Sequence, residues 1–222
     1  MSDADAVSLE GLHAVKHALR FGAELLEVHT DDPERLAKLA RDLAPDVAEE
    51  IVARAQRGPG PFPPTGVIAW ARRREAAPSV DAADGRPVVL LDHPRHLGNL
   101  GAAIRVAAAA DAAAVLVLGD ADPWHPQAIR GAAGLQFALP VARVAEPPPG
   151  RPLVALDPAG EPLGAAPIPP GATLAFGSER RGLSPGLLER ADARVALPMR
   201  RGVSSLNLAT AVAATLYALR AS

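Results

Sequence analysis

The chain has 222 residues, enough for one large domain or two small ones with a sizeable core. Hydrophobic residues make up 49% but aromatic residues only 3%, so close packing of alanine-rich helices is expected in that core. Cysteine is absent from the sequence, which excludes disulfides and cysteine-ligated zinc, and a net charge of -2 gives no global field that attracts nucleic acid.

The sequence also indicates the compartment of the protein and shows that its basic residues are mostly arginine. The N-terminal stretch is polar and acidic, unlike a signal peptide, and no apolar run reaches the ~20 residues of a membrane span. We therefore expect a cytoplasmic protein. Arginine far outnumbers lysine, since Lys16 and Lys38 are the only lysines. Arginine suits bidentate binding of phosphate, but a GC-rich genome gives the same bias and is the favoured explanation.

Residues 1–74 are expected to form a small α/β domain, followed by a linker over 75–86 with small and polar residues and no period. Asp32 is a suitable cap for a helix that has Pro33 in its first position. The predicted elements are a helix that begins at Ser8, a strand over 23–28, helices over 33–43 and 49–57, and a strand over 66–70.

Residues 87–222 repeat a pattern of strand, loop and helix. Continuous apolar strands that alternate with helices indicate a parallel sheet covered on both faces. Ligands of such sheets bind at the carboxyl ends of the strands. The predicted strands cover 88–91, 114–118, 137–141, 153–156, 173–176 and 195–197, and the predicted helices cover 102–110 and 209–219.

The first loop at these strand ends covers 92–105 and opens a helix. Gly98 and Gly101 either allow close helix packing or leave backbone N–H groups free for an anion at the helix N-terminus. The loop lacks the G-x-G-x-x-G spacing of dinucleotide-binding folds. Taken alone, Arg105 is a solvated surface charge on this helix.

Two further loops carry polar residues at strand ends. The second loop covers 176–185 and holds Glu179 between two glycines, and Ser184 is placed to cap a helix that starts at Pro185. The third covers 197–208, and Ser204 or Ser205 can cap the helix that follows. That helix is apolar on nearly every side and must be buried, either in its own domain or against a partner chain.

In this order, the loops resemble the motifs of the SpoU/TrmH family of RNA ribose 2'-O-methyltransferases. Residues 99–105 resemble the first family motif, 177–184 the second, and 197–199 with 205–207 the third. Residues 130–134 are similar to a further family loop, although Gly131 stands where the family pattern has a serine. The N-terminal module resembles the L30e-like substrate-binding domain that is often fused ahead of this family's catalytic domain.

The resemblance implies an α/β fold, with a parallel six-stranded sheet whose C-terminal segment forms a deep trefoil knot, behind the small L30e-like domain. It also implies a homodimer with the knot regions packed together, RNA (rRNA or tRNA) as the partner, S-adenosylmethionine as the cofactor, no membrane and no metal. The cofactor-binding residues that it implies are Phe176, Gly177, Glu179, Gly182, Leu197, Met199, Ser205, Leu206 and Asn207.

The implied chemistry is attack of a ribose 2'-hydroxyl on the methyl group of a sulfonium. Arginine is effectively never deprotonated in proteins, so Arg105 is expected to stabilise negative charge on the attacking oxygen rather than to take its proton. Asn99 and Asn207 are expected to orient the arginine and the ribose. Glu179 is expected either to anchor a loop or to accept a hydrogen bond from the substrate or an arginine. The implied catalytic residues are Arg105, Asn99, Glu179, Asn207 and Ser205, and the expected RNA contacts are Arg72, Arg73, Arg74 and Arg130.

Two alternative functions come from other classes of protein. A nucleotide-cofactor oxidoreductase on a doubly wound sheet fits the alternation of strands and helices, but the missing glycine fingerprint counts against it. A non-catalytic RNA-binding protein is the other alternative, and the presence of Asn99, Arg105, Glu179 and Asn207 counts against that. The sequence leaves open whether ribosomal or transfer RNA is methylated, and at which nucleotide.

Overall fold

The computed structural model describes residues 6–74, 84–165 and 167–221, so most of the predicted linker lies outside the described residues. Within these ranges the strands form two sheets, one of four strands and one of six. No helix in the described ranges is long and apolar enough to cross a membrane.

The N-terminal sheet is mixed, with strand order β1-β4-β2-β3. The prediction that a helix begins at Ser8 is wrong, because β1 pairs antiparallel with β4 there and the helix starts only after Gly11, whose φ is +88°. The predicted helix over 49–57 ends at Arg54, since the next three residues pair parallel with β2. The elements are β1 (Ala6–Glu10), α1 (Leu12–Arg20), β2 (Leu25–Thr30), α2 (Pro33–Leu43), α3 (Ala48–Arg54), β3 (Ala55–Arg57) and β4 (Val67–Arg72).

The predicted cap of α2 is confirmed. Asp32 accepts hydrogen bonds from the backbone N–H groups of Glu34 at 3.0 Å and Arg35 at 3.1 Å, and Pro33 occupies the first helical position. These bonds satisfy two of the N–H groups that have no partner inside the first turn of a helix.

The larger sheet has strand order β10-β8-β9-β5-β6-β7, and every neighbouring pair is parallel. Three neighbouring interior strands, β9, β5 and β6, are buried at every residue, as expected for a parallel sheet covered on both faces. The elements are β5 (Val88–Asp92), α4 (Leu97–Ala109), β6 (Ala114–Leu118), α5 (Pro126–Ala132), a 3-10 turn (Leu135–Phe137), β7 (Val141–Val144), β8 (Leu153–Pro162), β9 (Thr173–Phe176), α6 (Pro185–Arg190), β10 (Ala193–Ala196) and α7 (Leu208–Ala221).

The third predicted strand is displaced in the structure. Phe137 belongs to the 3-10 turn and is buried in the hydrophobic cluster of the N-terminal sheet, so the strand begins only at Val141. The helix predicted from residue 102 starts earlier, at Leu97, because glycines in its first turns do not prevent helical hydrogen bonding. Apolar periodicity could not place either boundary, since neighbours from elsewhere in the chain decide both.

The two sheets share a hydrophobic cluster. Trp124, Ile129 and Phe137 come from the chain after β6 but pack with the core of residues 7–71. The backbone also approaches closely, since a Cβ atom on Gly134 would lie 2.5 Å from the carbonyl oxygen of Ala14 in α1. The N-terminal module is therefore packed directly against α5 and the 3-10 turn.

Candidate active site

The second loop is a tight turn built on two glycines. Ser178 and Gly182 exchange two backbone hydrogen bonds of 3.0 Å, and Gly182 has a φ of +64° that favours glycine. A Cβ atom on Gly177 would lie 2.1 Å from the carbonyl carbon of Gly182, so only glycine fits there. This turn holds Glu179 between the end of β9 and the start of α6.

A chain of hydrogen bonds joins the three loops. Asn99, in the first turn of α4, donates from Nδ2 to Glu179 Oε1 at 2.8 Å. Asn207 donates from Nδ2 to Asn99 Oδ1 at 3.0 Å. The three predicted residues Asn99, Glu179 and Asn207 are thus brought together from sequence positions up to 108 apart.

The carboxylate fixes the direction of this chain. An ionised Glu179 can only accept, so Asn99 must turn its amide nitrogen toward it and its oxygen toward Asn207. Asn207 then turns its own nitrogen to Asn99, and its oxygen accepts from the N–H groups of Ala209 at 2.9 Å and Thr210 at 3.4 Å. Asn207 therefore caps α7, and the prediction that Ser204 or Ser205 does so is wrong.

The surroundings of Glu179 favour its charged form. Burial raises the pKa of Glu179, but the hydrogen bond from Asn99, the N–H groups of Glu179 itself and Arg95, and the charge of His96 outweigh it, so the pKa lies below its ordinary value. Glu179 is accordingly an acceptor and an anchor at neutral pH, and a weak candidate for a general base.

A cavity of about 370 Å³ opens beside this network at the carboxyl end of β9, next to residues 156–158 of β8. Asn207 is the only predicted cofactor residue that does not line it, and it lies next to the lining residue Leu206. Asp157 also lines the cavity and was not predicted, although it directly follows the apolar run 153–156 that was predicted as a strand. The predicted residues that line the cavity are Phe176, Gly177, Glu179, Gly182, Leu197, Met199, Ser205 and Leu206.

The lining suits an amphipathic organic ligand such as S-adenosylmethionine. Phe176, Leu197 and Met199 supply apolar surface, and Ser204 and Ser205 supply hydroxyl groups. The missing side chain at Gly177 leaves backbone exposed where a Cβ atom would collide with the loop. Within the described ranges, no group of three or more His, Cys, Asp or Glu side chains is arranged to hold a metal ion.

Arg105 is not part of this cavity. It is exposed on α4, four residues after Gly101, which faces α5, and within the described ranges its side chain makes no hydrogen bond or ion pair. Its nearest charged environment is α1: burial, then the charges of Lys16 and Arg105, lower the pKa of His13. Arg105 therefore lies outside the cavity of its own chain, and its catalytic role stays a prediction.

The four arginines predicted to contact RNA all have partners within the chain. Arg72 pairs with Glu24 at 2.7 Å, and Arg73 forms a bidentate pair with Asp122 at 2.9 and 3.0 Å. Arg74 donates to the carbonyl oxygen of Phe137 at 2.8 Å and lies over its ring, and Arg130 pairs with Glu10. Arg73, Arg74 and Arg130 thus link the two sheets, and RNA contact by the four arginines stays a prediction.

Two glycines explain the contact between α4 and α5. A Cβ atom on Gly101 would lie 2.1 Å from the carbonyl oxygen of Ala128, and one on Gly131 would lie 2.8 Å from that of Gly98. A serine at position 131, as in the family pattern, would require the two helices to move apart.

Ser184 occupies the predicted N-cap position of α6, but its side chain makes no capping bond, and its N–H group donates to Asp92 instead.

Comparison with known proteins agrees with this geometry. A sequence profile of the SpoU rRNA Methylase family matches residues 86–217. The chain is 31% identical over 238 aligned residues to a 23S rRNA (uridine(2479)-2'-O)-methyltransferase from Streptomyces viridochromogenes, an alignment that covers 93% of this chain and 79% of the relative. It is 35% identical over 153 residues to the 23S rRNA (guanosine(2553)-2'-O)-methyltransferase RlmP of Bacillus subtilis, covering 64% of this chain and 61% of that protein.

The fold is also similar to a solved structure of this kind. The SpoU methyltransferase AviRb from Streptomyces viridochromogenes, crystallised with its cofactor AdoMet, superimposes with a TM-score of 0.74 at 28% identity and covers 98% of this chain and 91% of that one. With the all-parallel six-stranded sheet, this match confirms the predicted fold class, that of the knotted SpoU methyltransferases. The chain belongs to the SpoU rRNA methylase family.

Proposed function

We propose that this protein transfers a methyl group from S-adenosylmethionine to a ribose 2'-hydroxyl of ribosomal RNA. The observation that carries the proposal is the cavity formed by the second and third loops, together with the hydrogen-bonded chain from Asn207 through Asn99 to Glu179 at its edge. Relatives that methylate 23S rRNA support ribosomal RNA over transfer RNA. An enzyme that acts on ribosomal RNA in this way would work in the cytoplasm.

The residues present fit the cofactor. Phe176, Leu197 and Met199 would hold its apolar parts, and the hydroxyl groups of Ser204 and Ser205 its polar parts. Bound S-adenosylmethionine supplies an electrophilic methyl group on a sulfonium ion. The carboxylates of Asp157 and Glu179, which both line the cavity, favour a cationic ligand there over a neutral one.

The protein's own contribution is to orient the groups and to stabilise charge. Asn99 is held in one orientation by the carboxylate on one side and Asn207 on the other, so its remaining N–H is fixed in direction. Such a preorganised amide can position a ribose hydroxyl without reorganisation during the reaction. A cation is still required close to the attacking oxygen, and Arg105 is the predicted source.

The position of Arg105 supports a homodimer in which each chain completes the site of the other. Arg105 lies outside its own cavity, is exposed and has no partner side chain among the described residues. Apolar side chains of the third loop and α7 are also exposed in a single chain: Val203 by 49%, Leu206 by 42% and Tyr217 by 51%. We infer that α7 and the third loop pack against a second copy, and that the partner's Arg105 reaches the cavity.

Mixed dimers test this arrangement. Arg105→Ala and Glu179→Gln chains are each expected to be inactive alone. If the partner supplies the arginine, mixing and re-equilibrating them forms dimers that hold one intact site, so methylation of an unmodified rRNA transcript returns. If each chain used its own arginine, every site in the mixture would carry a defect and no activity would return. Light scattering on the wild-type chain checks the dimer mass separately.

A further inference from the structure

A second polar concavity lies beside the cofactor cavity, at the carboxyl ends of β5 and β6. It consists of two adjoining cavities of about 490 and 440 Å³ that share Asp92, His93, Asp120 and Ser184. Ser178 and Gly182 line both the second of these and the cofactor cavity. The two sites are therefore neighbours on the same edge of the sheet.

Asp92 is a buried carboxylate that orients His93. Its side chain is 2% exposed, its Oδ1 lies 2.6 Å from His93 Nδ1, and its Oδ2 accepts from the N–H group of Ser184 at 2.6 Å. Since both oxygens act as acceptors, the proton between Asp92 and His93 sits on Nδ1. That leaves Nε2 on a side chain that is 65% exposed, with no partner of its own among the described residues.

The backbone is adapted to hold this ring in place. His93 has a φ of +49°, a left-handed conformation that is uncommon for residues other than glycine. The ring lies over Gly119, where a Cβ atom would come within 2.6 Å of His93 Cδ2. The His93 side chain is thus held by its hydrogen bond to the buried carboxylate of Asp92 and by contact with Gly119, where only glycine fits.

Two arginines face the same concavity. Arg95 and Arg181 both line it, both are exposed, and within the described ranges neither side chain forms a hydrogen bond or an ion pair. Two carboxylates line the concavity: Asp92 is buried and already bonded to His93 and Ser184, and Asp120 is exposed. Two guanidinium groups against one exposed carboxylate favour an anionic ligand. In the protonated form of His93, Nε2 also carries a proton and can donate it to an oxygen of that anion.

We propose that His93, Arg95 and Arg181 bind a phosphate of the RNA backbone next to the nucleotide whose ribose is methylated. This inference rests on the proposed function for the identity of the RNA. Arg95 connects the two sites directly, since its backbone N–H lies 3.5 Å from Glu179 Oε2 while its side chain lines the concavity. A phosphate held here would place the adjoining ribose toward Asn99 and the cofactor cavity.

Binding of an unmodified 23S rRNA transcript, measured by filter binding over a range of salt concentrations, tests the proposal. The double variant Arg95→Ala/Arg181→Ala is expected to weaken RNA binding by about tenfold or more. It should also flatten the salt dependence, by a slope of roughly one for each phosphate that the protein no longer neutralises. His93→Asn keeps a residue that tolerates the left-handed backbone but removes the ring. It should weaken RNA binding while the affinity for S-adenosylmethionine, measured by calorimetry, stays at the wild-type value.

Arg194→Ala is the matched control, because Arg194 is an exposed arginine of β10 that lines neither the cofactor cavity nor the concavity and lies outside the N-terminal module. The proposal is overturned if the double variant binds RNA with the affinity and salt slope of this control. It is also overturned if His93→Asn lowers only the rate of methyl transfer and leaves RNA binding intact, since His93 would then act in the chemistry. A wild-type protein that binds the transcript but does not methylate it would refute the proposed function, and the comparison of variants would still decide the phosphate site.

Discussion

Asn207 donates a hydrogen bond of 3.0 Å to Asn99 and at the same time accepts two from the first turn of α7. One side chain therefore starts the C-terminal helix and fixes the orientation of a residue in the first loop. Because Asn99 in turn bonds Glu179, hydrogen bonds connect the three loops that line or border the cavity. The stability of α7 and the geometry of the site are linked through Asn207.

Substitutions of Asn207 can separate these two roles. Asn207→Ala loses the cap and should destabilise the protein by about 1 kcal/mol. Asn207→Asp keeps an oxygen for the N–H groups of α7 but turns a second carboxylate oxygen toward Asn99 Oδ1, where two acceptors repel. We expect Asn207→Asp to melt near the wild-type temperature and yet to methylate RNA at least tenfold more slowly. Thermal denaturation and single-turnover assays measure the two effects, and equal activity of Asn207→Asp and wild type would contradict this role.

Arg105 is predicted to act in the chemical step and not in cofactor binding. Loss of one preorganised group that stabilises developing charge typically costs about a hundredfold to a thousandfold in rate. Arg105→Ala should therefore lower the single-turnover rate by that order. The affinity for S-adenosylmethionine should stay nearly unchanged, because the negative charge that Arg105 stabilises develops only in the transition state. Arg105→Lys should keep part of the activity if charge alone matters, and little if the planar fork is needed. A wild-type rate for Arg105→Ala would leave Arg105 as a surface charge on α4.

The titration of His13 reports the position of Arg105 independently of activity. Burial, Lys16 and Arg105 all lower the pKa of His13, and the two cations do so because a nearby positive charge disfavours protonation. Removing the charge in Arg105→Ala should therefore raise the pKa of His13, which NMR of the imidazole resonances can follow. An unchanged titration curve would mean that Arg105 points away from α1.

The packing of α4 on α5 predicts that alanine substitutions at two glycines of α4 change the stability of the protein in different ways. Gly101→Ala would place a methyl group 2.1 Å from the carbonyl oxygen of Ala128, so the helices must separate, at a cost of about 1–3 kcal/mol or more. Gly98→Ala meets no atom within 4 Å and should be neutral or stabilise by up to about 1 kcal/mol. Denaturant unfolding of both variants compares them, and a similar loss for each would show that the contact does not limit stability.

The parallel sheet followed from the sequence because its buried strands are runs of apolar residues, as β5 and β6 mostly are. The knot was implied only by the family resemblance. The positions of Phe137 and Ser8 did not follow from the sequence. Phe137 is placed by its packing on the N-terminal module, and Ser8 by the pairing of β1 with β4. Within the site, the motif residues Asn99, Glu179 and Asn207 are in contact as expected, because loops after parallel strands share one edge of the sheet. The ion pairs and hydrogen bonds of residues 72–74, and the location of Arg105 outside the cavity of its own chain, did not follow from the sequence, since a sequence does not show which charges find partners within the fold.

The most direct test of the central claim is to incubate the purified protein with S-adenosylmethionine and an unmodified 23S rRNA transcript and to map ribose 2'-O-methyl groups by mass spectrometry of the nuclease-digested RNA. We expect one methylated ribose that requires the cofactor, with no added metal, and that is lost with Asn99→Ala. An unmethylated rRNA, together with no binding of S-adenosylmethionine at millimolar concentration in calorimetry, would contradict the account.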